Sequence, residues 1–213
     1  MTLPPRIILN LAFAGFMLAA LPAEAAEPSF DCGDASNAVE ELVCGDDQLA
    51  AMDKELARLY RLAQASPNSD DHDKVELVAG KQDWIDGRNQ CADADNPRAC
   101  VETAYVTRIA ELRETYADIR SEDDKGISLG PFDVACPGME APGTLIFVNA
   151  DPSVAYLAWP DWSIVLTQTM SGSGARYAAE ADGGEVVFWN KGNDATFSRP
   201  GKDDVTCSIA KAG

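Results

Sequence analysis

The chain has 213 residues, 46% apolar and 24% charged, an ordinary globular composition that excludes a disordered or fibrous class. Seventeen Lys and Arg stand against 35 Asp and Glu, a net charge of −18. So acidic a chain is ill suited to nucleic acid, whose phosphates require Lys and Arg.

The first 26 residues have the pattern of an address. Met1 to Arg6 is a short positive start, Ile7 to Leu21 is apolar apart from Asn10 and Gly15, and Ala23-Glu24-Ala25 offers a small-x-small cleavage site. This is the order of a secretory signal peptide, with the mature chain starting near Ala26 or Glu27. The apolar run is shorter than the ~20 residues that span a bilayer, and the first cysteine is Cys32, so neither an anchor nor a lipid-modified start is expected. Export makes the six cysteines, Cys32, Cys44, Cys91, Cys100, Cys136 and Cys207, read as three disulfides. A metal site would want His support, and the one histidine, His72, is remote from every Cys in sequence.

From Asp31 to Ile119 apolar residues recur at helical spacing. Val39, Leu42, Leu49, Met52, Leu56, Leu59 and Ala63 form one stripe. Leu77, Val78, Trp84, Ile85 and Arg88 form a second, and Val101, Tyr105, Ile109, Leu112, Tyr116 and Ile119 a third. Pro67-Asn68-Ser69-Asp70 and Asp95-Asn96-Pro97 mark the joints. Core packing is the simplest role for Tyr60, Trp84 and Tyr105. Ser121 to Gly126 then forms a charged, polar hinge.

Beyond it come short β-type runs at Thr144–Val148, Val154–Trp159, Trp162–Met170, Glu185–Trp189, Ala195–Ser198 and Val205–Ile209, as in an antiparallel sandwich or barrel. The expected architecture is α+β in two domains: a leader at 1–26, a helical domain at 27–120, a linker at 121–130 and a β domain at 131–213. Residues 27–128 carry a net −13 and residues 129–213 a net −5. The dense acids of the helical half read either as a solvated face or as an electrostatic lure for a cationic partner.

Enzyme chemistry is hard to assemble. His72 sits in an acidic stretch (Asp70-Asp71-His72-Asp73), and no phosphate-binding Gly loop or metal-ligand spacing is present. With 35 acids, a carboxylate pair is expected by chance. Ser171-Gly172-Ser173-Gly174 resembles a nucleophile elbow only loosely and lacks the parallel α/β setting that would aim a serine. No catalytic residue, metal or cofactor is expected.

Two resemblances are more specific. Residues 31–116 resemble the LprI-type lysozyme-inhibitor domain of bacterial envelopes through Asp31-Cys32, Glu40-Glu41-Leu42-Val43-Cys44, Leu49, Met52-Asp53, Leu56 and Tyr60. They continue with Gln82, Trp84, Arg88, Cys91, Cys100, Tyr105, Arg108-Ile109 and Leu112. The resemblance implies a small bundle stapled by disulfides. In that arrangement Cys44 would lie near Cys91 and Cys32 near Cys100, one of three possible pairings.

Residues 132–207 resemble the MliC/PliC family of c-type lysozyme inhibitors through Ser171-Gly172-Ser173-Gly174-Ala175-Arg176-Tyr177 and Val187-Phe188-Trp189-Asn190-Lys191-Gly192-Asn193-Asp194-Ala195. The resemblance implies an antiparallel barrel of about eight strands, one bridge between Cys136 and Cys207, and a cationic c-type lysozyme as partner. It further implies that Ser173 and Lys191 enter the lysozyme cleft and meet its two catalytic carboxyl groups. Gly172, Gly174 and Gly192 would shape the loops, Tyr177 would pack beneath them, and Arg176 would do either. Residues 178–185 lengthen the segment between the two motifs, which would either extend a hairpin tip or re-aim Ser173. The expected product is a periplasmic or secreted lysozyme inhibitor of a Gram-negative envelope. The alternative is an envelope scaffold that keeps both folds for another cell-wall partner.

Overall fold

The structure is a computed structural model that describes residues 26–212. Apart from Ala26, the leader lies outside the described residues. A helical half precedes an eight-stranded antiparallel barrel. The helices are α1 (Ala38–Cys44), α2 (Asp47–Ala65), α3 (Asp71–Asn89) and α4 (Pro97–Thr115), with 3-10 turns at Cys32–Asp34, Gln90–Asp93 and Ala117–Lys125. Each helix starts where a short polar side chain accepts from the first free amides: Asn37, Asp46, Asp70 and Asn96. Asp70 and Asp73 bond reciprocally at the start of α3.

The α2 stripe is buried as the spacing predicts, from Leu49 through Met52, Leu56 and Leu59 to Ala63, and Tyr60 is buried beside it. Helix α4 contributes Val101, Tyr105, Val106, Ile109 and Leu112. Helix α3 departs from the predicted stripe. It buries only Leu77 and Arg88, while Val75 and Val78 face solvent, because α3 flanks the α2–α4 pair instead of lying between layers.

The disulfides are Cys32–Cys44, Cys91–Cys100 and Cys136–Cys207. The first two correct the expected Cys44–Cys91 and Cys32–Cys100 pairing. Both bridges are local. Cys32–Cys44 ties the 3-10 turn before α1 to that helix's last residue, and Cys91–Cys100 spans the α3–α4 corner. Their Cα atoms lie 5.8 and 5.5 Å apart, within bridging reach. On chain entropy alone the two short loops contribute about 3 kcal/mol each and the Cys136–Cys207 loop about 4 kcal/mol.

The strands are β1 (Ser128–Ala135), β2 (Gly143–Val148), β3 (Val154–Trp159), β4 (Trp162–Thr169), β5 (Ala175–Ala181), β6 (Gly184–Lys191), β7 (Asp194–Ser198) and β8 (Val205–Lys211). Each pairs with its sequence neighbour, and β8 closes on β1. Two strands exceed the predicted set. Strand β1 follows the charge run and carries Gly130-Pro131, where its register with β2 shifts. Strand β5 is rich in alanine, a poor strand former, and is held between β4 and β6 by pairing on both edges.

Val134, Leu145, Leu157, Leu166, Phe188 and Phe197 fill the barrel. The alternate residues Ile146, Val148 and Val154 point outward, yet they are fully buried because they pack into the helical core. Strand β2 is thus apolar on both faces, as in a sheet covered on both sides.

The segment 121–130 is tied down along its length, and β1 begins within it. Fully buried Arg113 of α4 donates from Nε to Gly130 O (2.9 Å), from Nη1 to Ser128 Oγ (3.1 Å), and from both terminal nitrogens to the Asp123 carboxylate (2.9 Å each). Glu55 of α2 accepts from Arg58 and from the backbone and hydroxyl of Ser128. Burial opposes the Glu55 charge, but those hydrogen bonds outweigh it and hold its carboxyl below the ordinary value.

Candidate functional site: two adjoining loops at one barrel rim

The antiparallel order places the β2–β3, β4–β5 and β6–β7 connections at one end of the barrel and the β1–β2, β3–β4, β5–β6 and β7–β8 connections at the other. Ser173 lies in the β4–β5 loop and Lys191 ends β6, so both sit at the first end. Pairing of Ala175 with Asn190 and of Arg176 with Trp189 sets them side by side.

The β4–β5 loop is held by its backbone and leaves its tip outward. Trp189 Nε1 donates to Ser173 O (2.8 Å), and Ser171 Oγ donates to Gly174 O (2.8 Å). The Ser173 hydroxyl has no hydrogen-bond partner among the described residues, and Met170 is 99% exposed on the same loop. Gly174 has φ +69°, and a Cβ there would stand 2.4 Å from Asn190 O and 2.8 Å from Lys191 Cγ. Only glycine permits this approach, so Gly174 lets the two loops lie together.

Across the contact, Lys191 Nζ lies 3.8 Å from the centre of the Trp189 ring. An exposed cation–π contact is worth about 0.5–1 kcal/mol, so it positions the ammonium without committing it. The β6–β7 connection is a two-residue turn closed by the Lys191–Asp194 pair. Gly192 there has φ +70°, and Asn190 Nδ2 donates to Gly192 O (3.0 Å). Gly172 differs from Gly174 and Gly192 in that its backbone is outside the left-handed region, and a Cβ there, as at Gly192, would meet nothing.

The structure divides the remaining expected contacts. Arg176 is engaged within the sheet: it pairs with Glu185 (2.7 Å) and donates to Thr169 Oγ1 (2.8 Å). Tyr177 points into the barrel at 4% exposure, against Phe147, so it supports the rim from beneath and cannot itself meet a partner. Burial raises its phenol pKa, and its hydroxyl stands 3.5 Å from Ser153 Oγ in the β2–β3 loop. Residues 178–185 extend the β5–β6 hairpin through unbroken register to a turn at Asp182-Gly183, at the opposite barrel end from Ser173 and Lys191. The added length therefore forms a longer hairpin tip at the end away from both residues. The role of Trp189 as anchor to both loops was not visible beforehand. The residue stood in the motif, but no local signal says where its indole N–H points.

Among the described residues no three His, Cys, Asp or Glu are grouped to hold a metal ion, and no helix is long and apolar enough to cross a membrane.

Residues 135–206 match the family described as membrane-bound lysozyme-inhibitor of c-type lysozyme, and residues 32–112 match the family described as lysozyme inhibitor LprI. The lipoproteins LprI of Mycobacterium bovis and Mycobacterium tuberculosis are each 33% identical over 162 residues, covering 76% of this chain and 74% of the relative. This chain belongs to the LprI family. The two matches fall on the two structural halves in order, helices first and barrel second. Both families are lysozyme inhibitors, which supports that role for this LprI-family protein and a non-catalytic one.

Proposed function

We propose that the chain is an exported inhibitor of c-type lysozyme whose β4–β5 loop and β6–β7 turn enter the catalytic cleft together. The observation that carries this reading is the clamp formed by Trp189 and Gly174. It holds the Ser173 backbone and the Lys191 side chain against the same indole, on adjoining loops at one rim. Lysozyme works with one protonated and one ionised carboxyl group. A hydroxyl can donate to or accept from either, and an ammonium meets the ionised one. The loops offer no glycosidic bond, so the cleft is filled without turnover. The net charge of −18 favours encounter with a cationic enzyme. Export to the envelope is supported by the leader pattern, the three disulfides and the lipoprotein names of the relatives.

The test is inhibition of cell-wall lysis by a c-type lysozyme, with the chain from residue 26 and its Ser173→Ala and Lys191→Ala variants. Each substitution should weaken inhibition by ten- to a hundredfold, as expected for a charge-assisted contact of about 1.5–3 kcal/mol. Full inhibition by a folded double variant would sink the assignment of these two residues. No inhibition by the folded parent would move the protein to another lysozyme type or to an envelope scaffolding role.

A further inference from the structure

The residues that carry the helical-half resemblance meet at a feature the barrel rim does not use. Asp53 and Tyr60 of α2 and Trp84 and Arg88 of α3 line one open cleft of about 290 Å³, joined by Lys81 and by Phe30 from the segment before α1. That volume is at the lower end for small-molecule sites.

Arg88 is only 5% exposed, yet no carboxylate oxygen stands within hydrogen-bond distance of it. Its Nη1 donates to Tyr105 OH (2.9 Å), which donates in turn to Asp53 Oδ1 (2.9 Å). Its Nε and Nη2 donate to Asn89 Oδ1 (3.2 and 2.9 Å). Three of the five guanidinium N–H groups are thus spent on uncharged oxygens. The nearest carboxylate, Glu40, stands 3.9 Å from Nη2, and its other oxygen is occupied by the amide and hydroxyl of Ser36.

Lys81, two turns before Arg88 on the same helix face, lies 5.4 Å from the Tyr60 ring centre, and the Arg88 guanidinium lies 5.3 Å from that of Trp84. A nearly buried fork with N–H groups to spare, a second cation and aromatic walls suits a carboxylate attached to an apolar or ring body. Asp53 and Glu40 balance the two cations. The cleft therefore disfavours a multiply charged anion and favours a ligand that also brings N–H or O–H donors.

We propose that this cleft binds a small organic carboxylate with an amide- or hydroxyl-bearing body, its carboxylate on Arg88 and its body running past Trp84 toward Tyr60 and Lys81. Acidic amino sugars and acylated peptide C-termini share this chemistry. The site is independent of the barrel rim and of lysozyme.

The test is calorimetric titration of the chain from residue 26 with N-acetylmuramic acid, with N-acetyl-alanyl-alanine, and with uncharged N-acetylglucosamine. At least one carboxylate should bind, and the first two arms tell sugar from peptide. The neutral sugar should bind about tenfold more weakly or not at all. Arg88→Lys keeps the charge but loses the fork and should weaken binding by about tenfold, and Lys81→Met, at an exposed position, by several-fold. The Ser173→Ala/Lys191→Ala variant should bind as the parent does. The proposal is overturned if neither carboxylate binds, if the neutral sugar binds equally well, or if both helical variants keep parental affinity. Near-UV circular dichroism verifies that each variant is folded.

Discussion

The barrel and the helical half handle polar groups in opposite ways. The barrel interior is lined by apolar and aromatic side chains, and its candidate chemistry stands on exposed loops that the sheet merely positions. The helical half buries charge: Arg88 with Tyr105 and Asp53 behind the cleft, and Arg113 and Glu55 at the seam with β1. Exposed loop residues contribute little to stability and can be replaced cheaply. Buried charges are sound only while every partner stays in place. The rim should therefore tolerate mutation at the expense of function alone, whereas the helical half should lose fold first.

The sharpest way to break this comparison is Arg113→Met. It strands the carbonyl of Gly130 and the hydroxyl of buried Ser128, together with the partly exposed Asp123 carboxylate, at the seam, and leaving such acceptors unpaired should cost about 3 kcal/mol in all. Thermal melts check this, and a change under 1 kcal/mol would mean that water replaces the guanidinium without loss. Tyr105→Phe comes next. It deletes the hydroxyl between Arg88 and Asp53 and should cost about 1–2 kcal/mol in denaturant unfolding.

Glu55→Gln sharpens the comparison through pH. The folded-state carboxyl is held below its ordinary value of 4.5, so its stabilisation is complete above that value and is lost as pH falls through the folded one. The stability gap between parent and variant should be widest near neutrality and close in acid below about pH 4.5. A gap that does not vary with pH would show that the Glu55 charge is not used. Smallest of all, the Ser173→Ala/Lys191→Ala double variant should melt within about 0.5 kcal/mol of the parent while losing inhibition.

Much of this fold was legible because its signals are local. The α2 and α4 stripes, six of the strands and the turn residues follow from periodicity and punctuation within a dozen positions. Strands β1 and β5 were hidden. One carries a proline and a register shift, the other is mostly alanine, and each is strand only because its neighbours pair with it. At the rim, Ser173 and Lys191 were named by their motifs, but the indole bond and the glycine approach that join them cross between strands.

The sequence by itself determined the order of the halves, the apolar faces of α2 and α4, the cysteine count and the two rim motifs. These are all properties of composition and short-range spacing. Only the tertiary structure decided which cysteines meet, that helices cover the outer face of β2 and β3, and that Asp53, Arg88 and Tyr105 share one network. The helix ends select the nearer cysteine in each corrected bridge, and the other two features join residues far apart along the chain, where sequence separation carries no information about distance in space. The approach is set by the packing of whole elements, with Ile146, Val148 and Val154 buried against helices where strand periodicity alone would leave them facing water.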